Sequence, residues 1–347
     1  MKRLRIQDDA ALPAGAEASP DRQPVWNQAQ CRAWRTAALD VRRGRWFAPT
    51  VLQTAAGLLV GAATWAGVAA GAQAPSALTL HLRRLVETAP GTGQWKQTES
   101  VVRWDPQGTA VVICDMWDQH WCKGATARVA EMAPRMNRVI GELRRRGVLI
   151  IHCPSETMPF YKDTPQRKLA QSAPKVDLQA IMLRCLPRSP QTEPPLPIDD
   201  SDGGCNDLPR CQEGHWPPFP WSREIATLEI KDGDAVTDSA EAYYLMRLRG
   251  ITNVIVMGVH ENMCVLGRPF AIRQMVQLGQ NVVLLRDLTD TMYNSRRRPF
   301  VDHFTGTDLV CWHIEKYWCP TITSDQIIGG HPFRFAADTQ PPRVFHN

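Results

Sequence analysis

The sequence predicts an α/β protein: a doubly wound, mainly parallel sheet with helices on both faces, a Rossmann-like three-layer arrangement carrying a long Pro-rich insertion. Two observations point there. Short, continuously apolar runs such as TAVVIC (109–114) and NVIVMG (253–258) are what strands buried on both faces require. These runs also alternate with segments of helical periodicity that end in glycine, the order of β-α-β units.

Taken along the chain, TAVVIC is the first such strand. Val129, Met132, Met136, Val139, Ile140 and Leu143 then recur at helical spacing, with Gly147 closing the helix. VLIIH (148–152) is the second strand, stopped by Pro154. Further on come ATLEI (226–230) as a strand, SAEAYYLMRLRG as a helix, NVIVMG as a strand, CVLGRPFAIRQMVQLG as one helix, NVVLL as a strand, and DLVCWHI as a last strand. Residues 75–104 read as a linker arm, 105–330 as the domain, and 331–347 as a C-terminal tail.

Residues 186–222 are loaded with proline, and an insertion of that length in a compact domain serves as a lid, a binding loop or an interface. Its Cys205 and Cys211 are close enough for a local disulfide in an oxidising compartment. Its DDSDGGCND stretch has the carboxylate density of a calcium loop but lacks the distal glutamate of an EF-hand, so it reads as an acidic turn.

Charge separates leader from body. Residues 1–74 hold nine Lys/Arg against five Asp/Glu, so nearly all of the formal +5 lies there. The body is close to neutral, which argues against nucleic acid as a partner. No charged residue or histidine occurs between Arg45 and His81, and Arg42, Arg43 and Arg45 precede the apolar run. A basic flank, an apolar stretch and A-x-A triplets at 70–74 are the order of a secretory signal over about 41–74, and hence of an exported, periplasmic or extracellular protein. An uncleaved membrane anchor is the alternative, and it would be the protein's only membrane contact. Beyond the leader nine of the ten cysteines remain, a number that suits an exported chain.

Three chemically unusual residues end the expected strands: Asp115 after TAVVIC, Lys231 after ATLEI, and Cys264 at the helix start beyond NVIVMG. Singly they have plain explanations, as a helix cap, a solvated charge and a small buried apolar group. Together they can make a cysteine hydrolase. A thiol at a helix start beside an ammonium loses its proton more readily, a carboxylate can carry that proton, and turn N–H groups can face an oxyanion.

The order Asp, Lys, then Gly-x-x-x-x-x-Cys-Val resembles the isochorismatase-like superfamily of cysteine hydrolases, which includes nicotinamidases and N-carbamoylsarcosine amidase. VVICDMWDQHW is similar to that family's first strand and its aspartate, and GVHENMCV to its nucleophile turn. The resemblance spans roughly residues 105–320. It implies Cys264 as nucleophile, Asp115 as general base and Lys231 as the third catalytic residue. It also implies a non-proline cis peptide between Val259 and His260, with the N–H groups of His260 and Cys264 as the oxyanion hole. Cleavage of an amide-type C–N bond in a small molecule through a covalent intermediate, without a cofactor, is the activity it implies.

Departures from the family accompany it. Where nicotinamidases carry metal-binding Asp-x-His, this chain has HCPSETMPFYKD with His152 alone, so no metal is expected. His120, Cys122, His152 and Cys153 do not match structural-zinc spacings either. Trp117, His120 and Trp121 on the loop after Asp115 are expected to line the substrate pocket, together with Glu261, which stands where many relatives have threonine. The alternative to an enzyme is a non-catalytic binding or assembly module using the insertion as its interface. Homo-oligomerisation is left open by the sequence.

Overall fold

The computed structural model describes residues 76–176, 188–189, 193–211 and 219–346. The leader with its signal or anchor, and parts of the insertion, lie outside the described residues. Among those described, no helix is long and apolar enough to cross a membrane.

One eight-stranded sheet organises the chain. Its strands are β1 (Leu78–Glu87), β2 (Trp95–Trp104), β3 (Thr109–Cys114), β4 (Leu149–Cys153), β5 (Ala235–Val236), β6 (Asn253–Val259), β7 (Asn281–Asp290) and β8 (Thr321–Ile322). Their order across the sheet is β2-β1-β8-β7-β6-β3-β4-β5. Strands β3 to β8 run parallel, whereas β1 pairs antiparallel with both β2 and β8. The chain winds outward from β3 through β4 to β5, then restarts at β6 beside β3 and winds the other way. That reversal leaves a crevice at the carboxyl ends of β3 and β6, where open α/β sheets bind ligands.

The apolar continuity of β3 has its expected cause. Ala110, Val112 and Cys114 join one buried cluster, while Val111 and Ile113 join the cluster on the opposite face. Helix α1 (Lys123–Arg145) covers the second face with Val129, Met132, Met136, Val139, Ile140 and Leu143. The first face is covered by α4 (Glu241–Leu248), α5 (Cys264–Gly267), α6 (Ile272–Gln277) and α7 (His303–Tyr317). Short α2 (Met158–Tyr161) and α3 (Pro165–Gln171) follow β4, and α8 (Asp325–Ile328) follows β8.

Four expectations are corrected. The linker arm is the β1–β2 hairpin: Leu78 and Leu80 are buried while Thr79 and His81 face out, the alternation of a strand with one covered face. ATLEI is not a strand; Ala226 and Thr227 lie in a turn, and the edge strand beside β4 is Ala235–Val236. CVLGRPFAIRQMVQLG is two helices rather than one. Pro269 supplies no N–H and forces the preceding Arg268 into extended geometry (φ −69°, ψ 160°). DLVCWHI lies within α7, whose first turn is capped by the Asp302 carboxylate accepting from the N–H groups of Phe304 and Thr305. Its apolar run turns one face inward through Val310, Cys311 and Ile314.

The described part of the insertion packs onto the domain. Glu193 is enclosed by α6 and α7, accepting from Arg273 at 2.7 Å, His313 at 2.9 Å and the Trp318 indole at 2.9 Å. Burial would raise its carboxyl, but His313 and Arg273 bring it down to about 2. The expected tail also contributes to the fold, since Phe335 is buried against the α1 side of the sheet.

Candidate active site

Asp115 and Cys264 meet at the crevice because they leave adjacent strands. Cys114 and Gly258 are register partners in the β3–β6 ladder, so the residues that follow them emerge side by side. Gly258 permits this closeness: its φ is +110°, and a Cβ there would stand 2.1 Å from the Cys114 carbonyl oxygen. Asp115 itself has φ +46°, a left-handed conformation that aspartate tolerates better than most residues.

The Asp115 carboxylate is fully buried. Its Oδ1 accepts the Ser155 N–H at 2.7 Å, and Oδ2 faces Arg268 Nε at 3.4 Å. The buried Cys264 thiol feels both Asp115 and Arg268. Burial, reinforced by the Asp115 charge, holds the thiol well above its ordinary value, and Arg268 opposes that rise. Arg268 also approaches Glu156 at 3.8 Å.

The cation at this site is therefore Arg268, and Lys231 is corrected. Its ammonium is about half exposed and pairs with Glu229 at 2.9 Å on the surface. The absence of a strand at ATLEI is the physical reason, since nothing there aims residue 231 at the crevice. Sequence reasoning missed Arg268. The available signal was its position four residues after Cys264, the spacing that brings side chains to one face of a helical turn.

In the turn before Cys264 the Val259–His260 peptide is cis. The N–H groups of Glu261, Met263 and Val265 bond to the carbonyls of Asp290, His260 and His260, respectively. Those of His260 and Cys264 are not used in these turn bonds.

Beside the turn, Trp117 stacks on Trp221 (4.2 Å between centroids), Phe219 stacks on Trp221 at 4.9 Å, and Trp121 meets Trp221 edge-on at 4.8 Å. His120 stacks on Trp221 at 5.7 Å and meets His260 edge-on at 5.0 Å. Burial lowers His120 to about 4 and lowers His260 well below its usual value, each histidine also feeling a nearby positive group or its ring neighbour. Trp221, at the end of the insertion, is the aromatic that sequence reasoning did not single out.

Glu261 is corrected as well. It is fully buried, hydrogen-bonded to the Thr291 hydroxyl at 3.0 Å, and burial keeps its carboxyl well above the ordinary range. It is an interior acid whose hydrogen bond runs to Thr291. His152 serves the scaffold: its Nδ1 lies 2.6 Å from Glu224, and its Nε2 lies 3.5 Å from Asp234. Burial would lower His152, but Glu224 and Asp234 raise it to about 9. Cys205 and Cys211 are bonded to each other, with Cα atoms 6.6 Å apart. The other described cysteines (114, 122, 153, 264, 311 and 319) are free and buried.

Comparison with solved structures gives several likenesses, one of them to a ribonuclease from Caenorhabditis elegans with a TM-score of 0.35 and 11% identity, over 66% of this chain and 85% of that one. The chain is similar to isochorismatase-like hydrolases. A cysteine hydrolase from Pseudomonas syringae pv. phaseolicola matches with a TM-score of 0.40 and 16% identity, over 65% of this chain and 94% of that one. An isochorismatase from Pseudomonas putida matches with a TM-score of 0.39 and 13% identity, over 64% and 91%. An isochorismatase-like hydrolase from Alkaliphilus metalliredigens matches with a TM-score of 0.33 and 16% identity, over 63% and 94%. No family model matches the sequence, and no curated protein does. At these identities and scores the likenesses carry no argument about chemistry, which has to come from the residues of this chain.

Proposed function

We propose that the protein is a cysteine hydrolase of the isochorismatase-like type, cleaving an amide-type C–N bond of a small molecule with Cys264, Asp115 and Arg268. The observation that carries this reading is that buried Cys264 and Asp115 leave the paired strands β6 and β3 at the switch point of the sheet, with Arg268 Nε 3.4 Å from Asp115 Oδ2.

Because burial favours the thiol over the thiolate, attack has to be coupled to proton removal. As Cys264 Sγ bonds to the substrate carbonyl carbon, its proton passes to Asp115. The negative charge that develops on the carbonyl oxygen falls to the N–H groups of His260 and Cys264, a preorganised pair that costs no reorientation during the step. Asp115 then delivers the proton to the leaving nitrogen as the C–N bond breaks, leaving a thioester and a free amine. Water attacks the thioester, gives its proton to Asp115, and the carboxylic acid leaves as the thiol is restored. Arg268 positions Asp115 and offsets its charge while the carboxylate waits for the proton.

The aromatic cluster of Trp117, Trp121, Phe219 and Trp221 beside the turn suits a flat or apolar substrate body, and the imidazoles of His120 and His260 offer polar contacts at its edge. The high thiol pKa would equally suit a non-catalytic binding module, so the two readings need a direct comparison. Incubating the protein and its Cys264→Ala variant with a panel of small amides, and reading released amine, makes it. Turnover lost in Cys264→Ala, with a thioester mass adduct in the parent protein, supports the hydrolase; equal turnover in both rejects the mechanism.

A further inference from the structure

A second cluster of reactive side chains stands where the insertion docks on the start of α1. Cys122 immediately precedes that helix, while Cys205, Asp207 and Cys211 belong to the insertion. One donor atom from each lies within 4.8 Å of all the others. Cys122 and Cys205 are buried, and Asp207 and Cys211 are partly so. None of the four takes part in the chemistry assigned to Cys264.

We propose that these residues form a structural zinc site of three thiolates and one carboxylate, which fastens the insertion to the catalytic domain. Donor chemistry is the first argument. Sulfur-rich sets select zinc, and tetrahedral Zn2+ at its usual bond lengths places sulfur donors about 3.8 Å apart, below the 4.8 Å that bounds the separations here, so that only the bonded Cys205 and Cys211 sulfurs have to part. The Cys205–Cys211 disulfide engages only two of the four groups, and the proposed site is the reduced form of the same cluster. The disulfide gives no account of why a third, buried sulfur and a carboxylate converge on the same point.

The surroundings are those of a supported site. The Ala125 N–H points at Cys122 Sγ (3.4 Å), Lys123 N–H donates to Asp207 Oδ2 at 2.7 Å, and Gly124 N–H donates to Asp207 Oδ1 at 2.9 Å. Such bonds orient metal ligands and spread their negative charge, here over the positive end of a 23-residue helix. Residue 124 has to be glycine for this approach, because a Cβ would stand 2.7 Å from Asp207 Oδ1. The Cys205–Cys211 disulfide has first to be opened by a thiol reductant, which supplies two electrons and two protons and is itself oxidised to a disulfide; each of the three thiols then gives one proton to solvent, and the thiolates with the Asp207 carboxylate bind one Zn2+. Linear spacing could not show the site, because Cys122 lies more than 80 residues before its partners.

The full chain, purified without chelator and in a thiol reductant, should carry about one zinc per molecule by mass-spectrometric metal analysis. An organomercurial that caps thiolates should release that zinc to a colorimetric chelator. Cys122→Ser and Cys211→Ser should each lower the content at least tenfold, whereas Cys264→Ala should leave it unchanged, which separates this site from the catalytic one. Loading with Co2+ should give a thiolate-to-cobalt absorption that weakens in Cys122→Ser, a readout that does not depend on yield or stability. Zinc-free protein carrying an intact Cys205–Cys211 disulfide in its peptide map, or zinc retained fully by Cys122→Ser, would overturn the proposal.

Discussion

Arg268 Nε stands 3.4 Å from Asp115 Oδ2 while Lys231, the cation that the sequence order nominates, pairs with Glu229 on the surface. The positive charge of the proposed catalytic cluster thus comes from the same turn as Cys264, four residues along. If Arg268 offsets the Asp115 charge felt by Cys264, Arg268→Gln should raise the thiol pKa further and slow iodoacetamide alkylation of Cys264 at least tenfold at pH 8. Lys231→Ala should change that rate by less than about twofold. Intact-mass measurement of alkylation against pH reads both, and an effect of Lys231 equal to that of Arg268 would return the role to the lysine.

The buried His152–Glu224 pair makes stability depend on alkaline pH. Folding raises His152 from its ordinary value near 6.5 to about 9. A group with a raised folded pKa contributes stability that is fully present below its unfolded value and is lost as pH rises through its folded value. The melting temperature should therefore fall between pH 7 and pH 10, and His152→Gln should flatten that decline. Glu224→Gln removes one partner of a buried pair and should cost roughly 3–5 kcal/mol at pH 7 in urea unfolding.

Replacing Gly258 tests the strand crossing that brings the catalytic residues together. Gly258→Ala demands a positive φ of a residue with a Cβ and drives that atom into the Cys114 carbonyl. The expected cost exceeds about 4 kcal/mol, in the range of core disruptions. Gly91→Ala, whose Cβ would meet nothing within 4 Å, is the control for positive φ alone. Equal loss in the two variants would mean that the contact with β3 is unimportant.

The β1–β2 hairpin should prove integral to the domain. Leu78, Leu80 and Leu85 are each 1% exposed, and burial of each such side chain is worth about 1.5–3 kcal/mol. A chain beginning at residue 105 should therefore melt well below one beginning at residue 76, or fail to stay soluble. Equal melting temperatures would show that the hairpin is a detachable arm.

What the sequence determined by itself was the parallel centre of the sheet and the positions of Asp115 and Cys264, two of the three groups of the proposed mechanism. The runs TAVVIC, VLIIH, NVIVMG and NVVLL are apolar on both faces, a pattern imposed by burial between two helical layers and readable residue by residue. Asp115 and Cys264 follow directly from two of those strands, so locating the strands located them. The periphery was less legible: LTLHLRRLVE has a mixed burial pattern because it lies toward the sheet edge, and DLVCWHI satisfies strand and helix patterns alike. Tertiary structure alone decided the rest. The register of β3 against β6 set Asp115 beside Cys264, Pro269 broke the following helix, and Arg268 was left to take the place that Lys231 does not reach. It also gathered Cys122 with Cys205, Asp207 and Cys211. Those choices depend on which distant segments touch, and contacts across 80 to 160 residues leave no periodicity in the chain.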